Sequence, residues 1–277
     1  MGAGRAPFEE RFPRPAVMGV VNVTPDSFSD GGRFLEPTHA IEHARRLRDE
    51  GAAIVDVGGE STRPGAAAVS AGDELDRVGP VLEALGGELP ISIDTSKAAV
   101  ARRALELGAE LVNDVTALRA DLELAGVVAE HDAYVCLMHM QGGPRTMQVA
   151  PRYGDVASEV AAFLEARLDH AVAQGIAEER ICLDPGIGFG KTVEQNLELV
   201  RRLDVLVALG RPVLVGFSRK SSLGRLLGDP EATTGTLSAS IGAAVAAFEH
   251  GAWMLRVHDV RDTVEALTVA AAVEAGA

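Results

Sequence analysis

Residues 90–118 read PISIDTSKAAVARRALELGAELVNDVTAL and contain one complete strand–helix–strand unit. The apolar runs at 90–95 and 111–115 have the length and composition of buried strands. Between them, residues 97–107 carry apolar side chains at helical spacing, and Gly108 follows as a left-handed C-terminal cap. A strand, a helix and a second strand in this order are typical of a parallel βαβ unit.

The same unit recurs along the chain without repeating its sequence. Further strands are predicted at 16–24, 53–59, 133–140, 181–184, 212–217 and 253–258. Further helices are predicted at 38–50, 70–85, 121–130, 156–174, 192–209, 221–227 with 234–250, and 260–274. Glycines 51, 175, 210 and 251 also lie just past helix ends. Eight strands alternating with helices predict an α/β fold, a single (β/α)8 TIM barrel, whose active site lies where the strands end.

Composition limits the domain organisation and the partners. The 277 residues are 47% hydrophobic with a mean hydropathy of +0.12, which suffices for one barrel core. Residues 16–277 are assigned to that barrel, and the polar residues 1–15 to an N-terminal tail. The net charge of −14 argues against nucleic acid or an acidic membrane surface as the main partner. Neither a membrane-spanning stretch nor a signal peptide is visible, so we expect a cytoplasmic protein.

Polar and charged side chains follow the strands at their carboxyl ends. Alternate strand residues share a face, so Arg256 points the same way as His258, and Ser218 the same way as Lys220. His139 lies on the opposite face from Met138, which favours a structural role for it. The strand-end set is Asn22, Asp94, Asn113, Asp184, Ser218, Lys220, Arg256 and His258. Inward carboxylates and amides suit a planar heterocycle with ring N–H donors, and the basic edge suits a phosphate or diphosphate.

Two loops rich in turn residues, at 22–32 and 58–66, have the composition of segments that close over a ligand, although ordinary surface turns share it. The Gly-x-Gly-x-Gly run after Asp184 lacks the Walker and the dinucleotide-binding spacing. The chain has no HExxH motif, no zinc-spaced Cys/His cluster and no Gly-x-Ser-x-Gly elbow. These absences argue against a metallohydrolase or a serine hydrolase.

Eight segments together carry a resemblance to a known family. They are NVTPDSFSDGG (22–32), GGESTRPGA (58–66), SIDTSK (92–97), VNDVTAL (112–118), MHMQGGPRTMQ (138–148), LDPGIGFGK (183–191), GFSRKS (216–221) and RVHDV (256–260). In this order, from about Met18 to Asp262, the chain resembles the dihydropteroate synthases, the pterin-binding barrel family of folate biosynthesis.

The resemblance implies a transferase that joins 6-hydroxymethyl-7,8-dihydropterin diphosphate to 4-aminobenzoate and releases diphosphate in the presence of Mg²⁺. It favours an SN1-like route in which the diphosphate departs first. It also implies a homodimer formed through the outer helices, small-molecule substrates as the partners, and inhibition by sulfonamides.

The family's functional residues carry over onto matching positions. The catalytic group would be Asp94, Lys220, Arg256 and His258, and Asn22 would bind the metal. The substrate-binding set would be Phe28, Thr62, Arg63, Pro64, Asp94, Asn113, Met138, Asp184, Phe189, Gly216, Ser218, Lys220, Ser221, Arg256 and His258. Within it, the three strand-end carboxyl and amide groups would bind the pterin, while Ser221 and the two loops would bind the aminobenzoate.

Two alternative functions remain open at this stage. A related pterin barrel transfers a methyl group from methyltetrahydrofolate to a corrinoid protein, but it should lack the aminobenzoate loops and the Ser-Arg-Lys-Ser segment. A non-catalytic paralogue would bind the pterin without condensing it, and should show damage in the two loops. Neither departure is visible in this sequence.

Overall fold

Eight parallel strands form one sheet in the order β6-β5-β4-β3-β2-β1-β8-β7 in the computed structural model. The model describes residues 4–24, 36–61, 67–142, 147 and 151–276. A bridge between Leu183 and Val213, with the Leu183 amide 2.9 Å from the carbonyl oxygen of Pro212, joins the two edges of the sheet. The predicted TIM barrel is therefore confirmed.

The strands are β1 Ala16–Asn22, β2 Ile54–Gly58, β3 Ile91–Asp94, β4 Leu111–Asp114, β5 Tyr134–Met138, β6 Ile181–Asp184, β7 Leu214–Val215 and β8 Met254–Val257. The helices are α1 Phe8–Arg11, α2 Glu36–Asp49, α3 Ala71–Leu85, α4 Ala98–Glu106, α5 Leu124–Glu130, α6 Val156–Ala173, α7 Val193–Arg201, α8 Asp204–Val207, α9 Ser221–Leu226, α10 Leu237–Glu249 and α11 Val260–Glu274. None of the described helices is long and apolar enough to cross a membrane.

The main core lies between the strands and the helical ring. Outward strand residues such as Val55, Val57 and Ile93 are buried against helix residues such as Val78 and Leu82. The glycines predicted as helix caps, at 51, 108, 175, 210 and 251, all have positive φ, between 75° and 105°. This backbone conformation ends the helices and turns the chain back toward the next strand.

The N-terminal segment closes the end of the barrel where the strands begin. The Phe8 and Phe12 rings are buried, with centroids 5.8 and 5.5 Å from that of Tyr134. The Tyr134 hydroxyl donates to the Ala6 carbonyl oxygen at 2.7 Å, and the Trp253 indole to that of Phe12 at 2.6 Å. The division into a tail and a barrel remains a prediction, but this segment packs onto the strands through its buried residues Phe8 and Phe12, while Glu10 and Pro13 are exposed. The spacing of four places the two phenylalanines on one side of the chain, but it does not predict their contact with Tyr134.

Two predicted elements differ from the structure. The helix expected at 192–209 is two helices, because Arg202 leaves helical geometry at φ −111° and ψ 35°. This break accompanies the burial of Leu203 and Leu206. The strand expected at 212–217 pairs as β7 over only Leu214–Val215, since residues 216–220 leave the sheet and form the turn that leads into α9.

Phe12→Ala should lower the free energy of unfolding by about 3–5 kcal/mol, because it opens a cavity in a buried aromatic cluster. Urea denaturation measures this change. Glu10→Ala, at an exposed position of the adjoining helix α1, should stay within about 0.5 kcal/mol of the wild type. A decrease of less than about 1 kcal/mol in the free energy of unfolding of Phe12→Ala would show that this aromatic cluster does not stabilise the barrel.

Candidate active site

A polar pocket opens at the carboxyl ends of the strands. Its lining residues are Asp94, Asn113, Val115, Met138, Asp184, Phe189, Gly216, Ser218, Lys220, Arg256 and His258. They come from β3, β4, β5, β6 and β8 and from the segments that follow β4, β6, β7 and β8. The fold therefore brings together side chains that lie more than 160 residues apart in the sequence, as in the 2.9 Å contact between Arg256 and Asp94.

Arg256 lies at the centre of an ionic network at the base of this pocket. Its Nε donates to Asp56 Oδ2 at 2.7 Å, and its Nη2 donates to Asp94 Oδ2 at 2.9 Å. Asn113 Nδ2 donates to the same Asp56 oxygen at 2.9 Å. Asp56 is fully buried, and among described residues its Oδ1 has no hydrogen-bond partner. The guanidinium from β8 thus reaches across β1 and holds two carboxylates on the adjacent strands β2 and β3.

Asp94 is the titratable carboxyl of this network. Burial, followed by the charge of Asp56, raises its pKa to about 7, while Arg256 acts in the opposite direction. A carboxyl with this pKa exchanges protons near neutral pH, which is the range expected of an acid–base or charge-stabilising group in an active site.

Asp184 and Lys220 form the opposite wall with the loop that follows β6. Asp184 Oδ1 accepts a hydrogen bond of 2.7 Å from the Gly186 amide, and burial raises its pKa. Lys220 Nζ donates to the Ile187 carbonyl oxygen and lies 4.4 Å from the centre of the Phe189 ring. Burial lowers the pKa of Lys220 to about 8. An acceptor, a cation and an aromatic face therefore border the same space.

His258 and Ser218 form the basic rim. Ser218 Oγ accepts from the His258 amide at 3.2 Å and lies 3.1 Å from His258 Nδ1. We assign the hydroxyl as donor to Nδ1, which leaves the proton on Nε2. Burial, and then the charge of Arg256, lower the pKa of His258 to about 4. At neutral pH this imidazole is therefore a neutral N–H donor.

The remaining predicted residues lie around this pocket or outside the described residues. Asn22 ends β1, half-buried and paired with Gly58 in the strand register. Ser221 is half-buried and begins α9, directly after Lys220. Among the described residues no group of three or more His, Cys, Asp or Glu side chains could hold a metal ion. The other predicted contacts, Phe28, Thr62, Arg63 and Pro64, lie outside the described residues.

Three residues of this region were not predicted as site residues: Val115, which lines the pocket, and Asp56 and Lys191, which lie beside it. Asp56 shares a strand face with Gly58 and Glu60, so strand alternation predicts that its side chain points inward. Its hydrogen bond to Arg256 is not predictable from the sequence. Lys191 follows the glycine-rich run and is buried beneath it, within 3.0 Å of His139 Nδ1. His139 itself packs edge-on against Phe163, with ring centroids 4.8 Å apart, and is not among the pocket-lining residues.

Comparison with known proteins identifies the family. Residues 18–258 match the family described as pterin binding enzyme. The chain is 48% identical over 269 residues to the dihydropteroate synthase of Neisseria meningitidis serogroup C, covering 96% of this chain and 94% of the relative. It is also 48% identical over 259 residues to that of Escherichia coli K12, covering 92% and 90%. The chain belongs to the dihydropteroate synthase family.

Solved dihydropteroate synthases share the fold. The Xanthomonas albilineans enzyme with 4-aminobenzoic acid has a TM-score of 0.87 at 48% identity, over 95% of this chain and 94% of that one. The same organism's enzyme in complex with 7,8-dihydropteroate has a TM-score of 0.84 at 46% identity, over 95% of each chain. The Yersinia pestis enzyme, in a sulfonamide drug complex, has a TM-score of 0.87 at 45% identity, over 95% of each chain. The resemblance stated from the sequence is confirmed.

Proposed function

We propose that this chain condenses 6-hydroxymethyl-7,8-dihydropterin diphosphate with 4-aminobenzoate, giving 7,8-dihydropteroate and diphosphate. The observation that carries the proposal is the pocket itself, in which buried carboxyl and amide groups on one side adjoin Arg256 and His258 on the other. This pairing of acceptors with an anion-binding edge matches a heterocycle that bears a diphosphate.

The pterin ring is assigned to the inner pocket. Its ring and exocyclic N–H groups would donate to Asp184, with Asn113 and Asp94 beside them, because these are the buried polar groups that line the space. Met138 and Phe189 would pack against the faces of the ring. Lys220, whose ammonium already donates to Ile187, would lie close enough to bind a ring acceptor. Gly216 leaves room for the ring, since it presents no side chain to the pocket.

The diphosphate is assigned to the basic rim. Arg256 supplies a permanent charge, His258 an N–H donor, and Ser218 keeps that imidazole in its orientation. The oxygen of Asn22, at the end of β1, fits one ligand position of Mg²⁺, an ion that takes few protein ligands and otherwise binds phosphate oxygens and water. When bound there, Mg²⁺ would neutralise charge on the diphosphate.

The bond changes follow from these positions. The bond from the exocyclic carbon to the bridging oxygen breaks, and its electron pair leaves with the diphosphate. The ring nitrogens share the positive charge of the resulting cation, which Asp94 in its ionised form stabilises. The arylamine nitrogen then donates its lone pair to the carbon, and its proton passes to the released diphosphate or to water. Because an arylamine is a weak nucleophile, a route in which departure precedes attack is the one we propose.

The aminobenzoate is assigned to the outer part of the mouth. Ser221, at the start of α9, is proposed to bind its carboxylate, and Phe28, Thr62, Arg63 and Pro64 to close over it. A sulfonamide retains the arylamine and an anionic end, so we propose that sulfonamides compete with aminobenzoate here. We also propose that the protein is cytoplasmic and a homodimer through its outer helices.

The test is to incubate the purified protein with the two substrates and Mg²⁺. Dihydropteroate is detected by chromatography, and the released diphosphate is measured and should be equimolar with it. Stoichiometric product supports the proposal. Pterin binding without product identifies the non-catalytic alternative, and absence of pterin binding overturns the site. The 48% identity to enzymes named dihydropteroate synthase supports the proposed reaction and favours neither the corrinoid methyltransferase nor the non-catalytic paralogue.

The pH dependence of kcat/KM for the pterin diphosphate should be bell-shaped. It should rise as Asp94 loses its proton near pH 7 and fall as Lys220 loses its proton above about pH 8. Lys220→Arg keeps a charge at all accessible pH values and should therefore lose only the alkaline limb. An unchanged alkaline limb in Lys220→Arg would show that another group produces it.

A further inference from the structure

Lys191 is a buried lysine whose hydrogen bonds are all to neutral acceptors. It is 3% exposed, and its Nζ lies 2.9 Å from the Gly186 carbonyl oxygen, 3.0 Å from that of Phe189 and 3.0 Å from His139 Nδ1. The His139 carbonyl oxygen lies farther away, at 3.5 Å, so the three closer acceptors match the three donors of an ammonium. No described carboxylate forms an ion pair with it, and burial, opposed by the charge of Asp184, lowers the pKa of Lys191 to about 7. The Lys191 hydrogen bonds show which part of the fold this side chain holds in place.

The three acceptors belong to the ends of two neighbouring strands. His139 follows β5, and Gly186 and Phe189 lie in the loop after β6. The loop lies directly on the chain that follows β5, since a Cβ on Gly190 would approach the Gln141 carbonyl oxygen to 2.6 Å and one on Gly186 would collide with that of His139. Lys191 therefore bonds to the loop from its outer side.

The inner side of the same loop borders the pterin pocket. The Gly186 amide donates to Asp184, the Ile187 carbonyl accepts from Lys220, and the Phe189 ring lines the pocket. Each of these positions depends on the path of residues 185–190. A shift of the loop would move the Asp184 carboxylate, the Lys220 ammonium and the Phe189 ring together.

We propose that Lys191, held by His139, is a positioning residue that fixes this loop and thereby sets the affinity of the enzyme for the pterin. The inference rests on the proposed function for the identity of the ligand. Lys191 is not among the residues that line the pocket, so it contacts the pocket through the loop, while its charge also acts on the Asp184 carboxylate in the direction that lowers the pKa of that group. His139 takes part through an unprotonated Nδ1, which fixes the proton on Nε2.

Lys191→Met tests this role, because methionine nearly keeps the length of the stem and removes the three donors. The dissociation constant of pteroate, measured by calorimetry, should rise about tenfold or more. The KM for aminobenzoate at saturating pterin diphosphate should stay within about twofold. Hydrogen exchange at residues 185–190 should accelerate, while that of the barrel strands should not change.

Lys97→Met is the matched control. Lys97 is a half-buried lysine that precedes α4, with its Nζ 2.5 Å from Glu60 and from Glu74, and among the described residues it forms no hydrogen bond or ion pair with the loop after β6. Its loss should leave the pteroate dissociation constant within about twofold. A purely structural effect of removing a buried lysine would weaken pteroate binding in both variants and would overturn the proposal.

A second pair of variants decides the matter should Lys191→Met not fold. His139→Asn offers an oxygen near the place of Nδ1 and should keep the pteroate affinity, whereas His139→Leu offers none and should lose several-fold. Equal affinities in this pair, or wild-type affinity in a folded Lys191→Met, would overturn the role of Lys191. The variants could differ in pteroate affinity as expected while the wild-type enzyme forms no dihydropteroate. That outcome would contradict only the proposed function.

Discussion

Arg256→Met is expected to lower kcat/KM for the pterin diphosphate by about a thousandfold or more. The substitution removes the cation proposed to stabilise the departing diphosphate, an effect on the order of 4 kcal/mol in comparable preorganised sites. Steady-state kinetics with Mg²⁺ measures the change. Arg256→Lys retains the charge but cannot donate through two nitrogens of a planar guanidinium, so its loss of kcat/KM should be intermediate.

The same substitution also leaves Asp56 and Asp94 buried without their partner, at a cost of about 3–5 kcal/mol in stability. A double variant separates the two effects. Asp56→Asn in the Arg256→Met background removes one of the unpaired charges and should restore part of the urea stability without restoring activity. Recovery of activity in the double variant would show that Arg256 has only a structural role.

Asp184→Ala is expected to abolish measurable binding of pteroate or of a pterin analogue. Each ring donor left without an acceptor in the pocket costs about 1–3 kcal/mol, and the carboxylate is proposed to serve two of them. Asp184 is buried, and alanine at this position offers no acceptor to the ring donors. Isothermal titration calorimetry on the folded variant measures the affinity.

Asp184→Asn is the matched control for the loop. Its side-chain oxygen can still accept from the Gly186 amide, as Asp184 Oδ1 does at 2.7 Å, so the loop after β6 should keep its path. The affinity for the pterin should then fall less than in Asp184→Ala. Equal, near-wild-type affinities in both variants would refute the assignment of Asp184 to the pterin.

The strand-end residues were predictable because the geometry of a parallel barrel is local. Alternation along β3 and β8 is enough to aim Asp94 and Arg256 inward, and parallel strands collect their carboxyl ends at one mouth. The eight short motifs then implied the family. None of these steps needs a distance between residues far apart in the chain.

The contacts that sequence reasoning missed all depend on such distances. Asp56 and Arg256 meet only because β8 returns beside β1, and Phe12 packs on Tyr134 only once the barrel has closed. Lys191 is the last residue of a recognised motif, yet its buried position under the loop depends on the way the glycines turn back onto β5. Local patterns carry no information about these tertiary contacts.

The central claim is that the pterin occupies the pocket between Asp94, Asn113, Asp184 and Arg256. A crystal structure of this protein with 7,8-dihydropteroate, or with a pterin and diphosphate, tests it most directly. We expect the ring N–H groups within hydrogen-bonding distance of the Asp184 carboxylate and the diphosphate against Arg256 and His258. A pterin bound elsewhere, with Asp184 and Arg256 still paired only to protein groups, would contradict the claim.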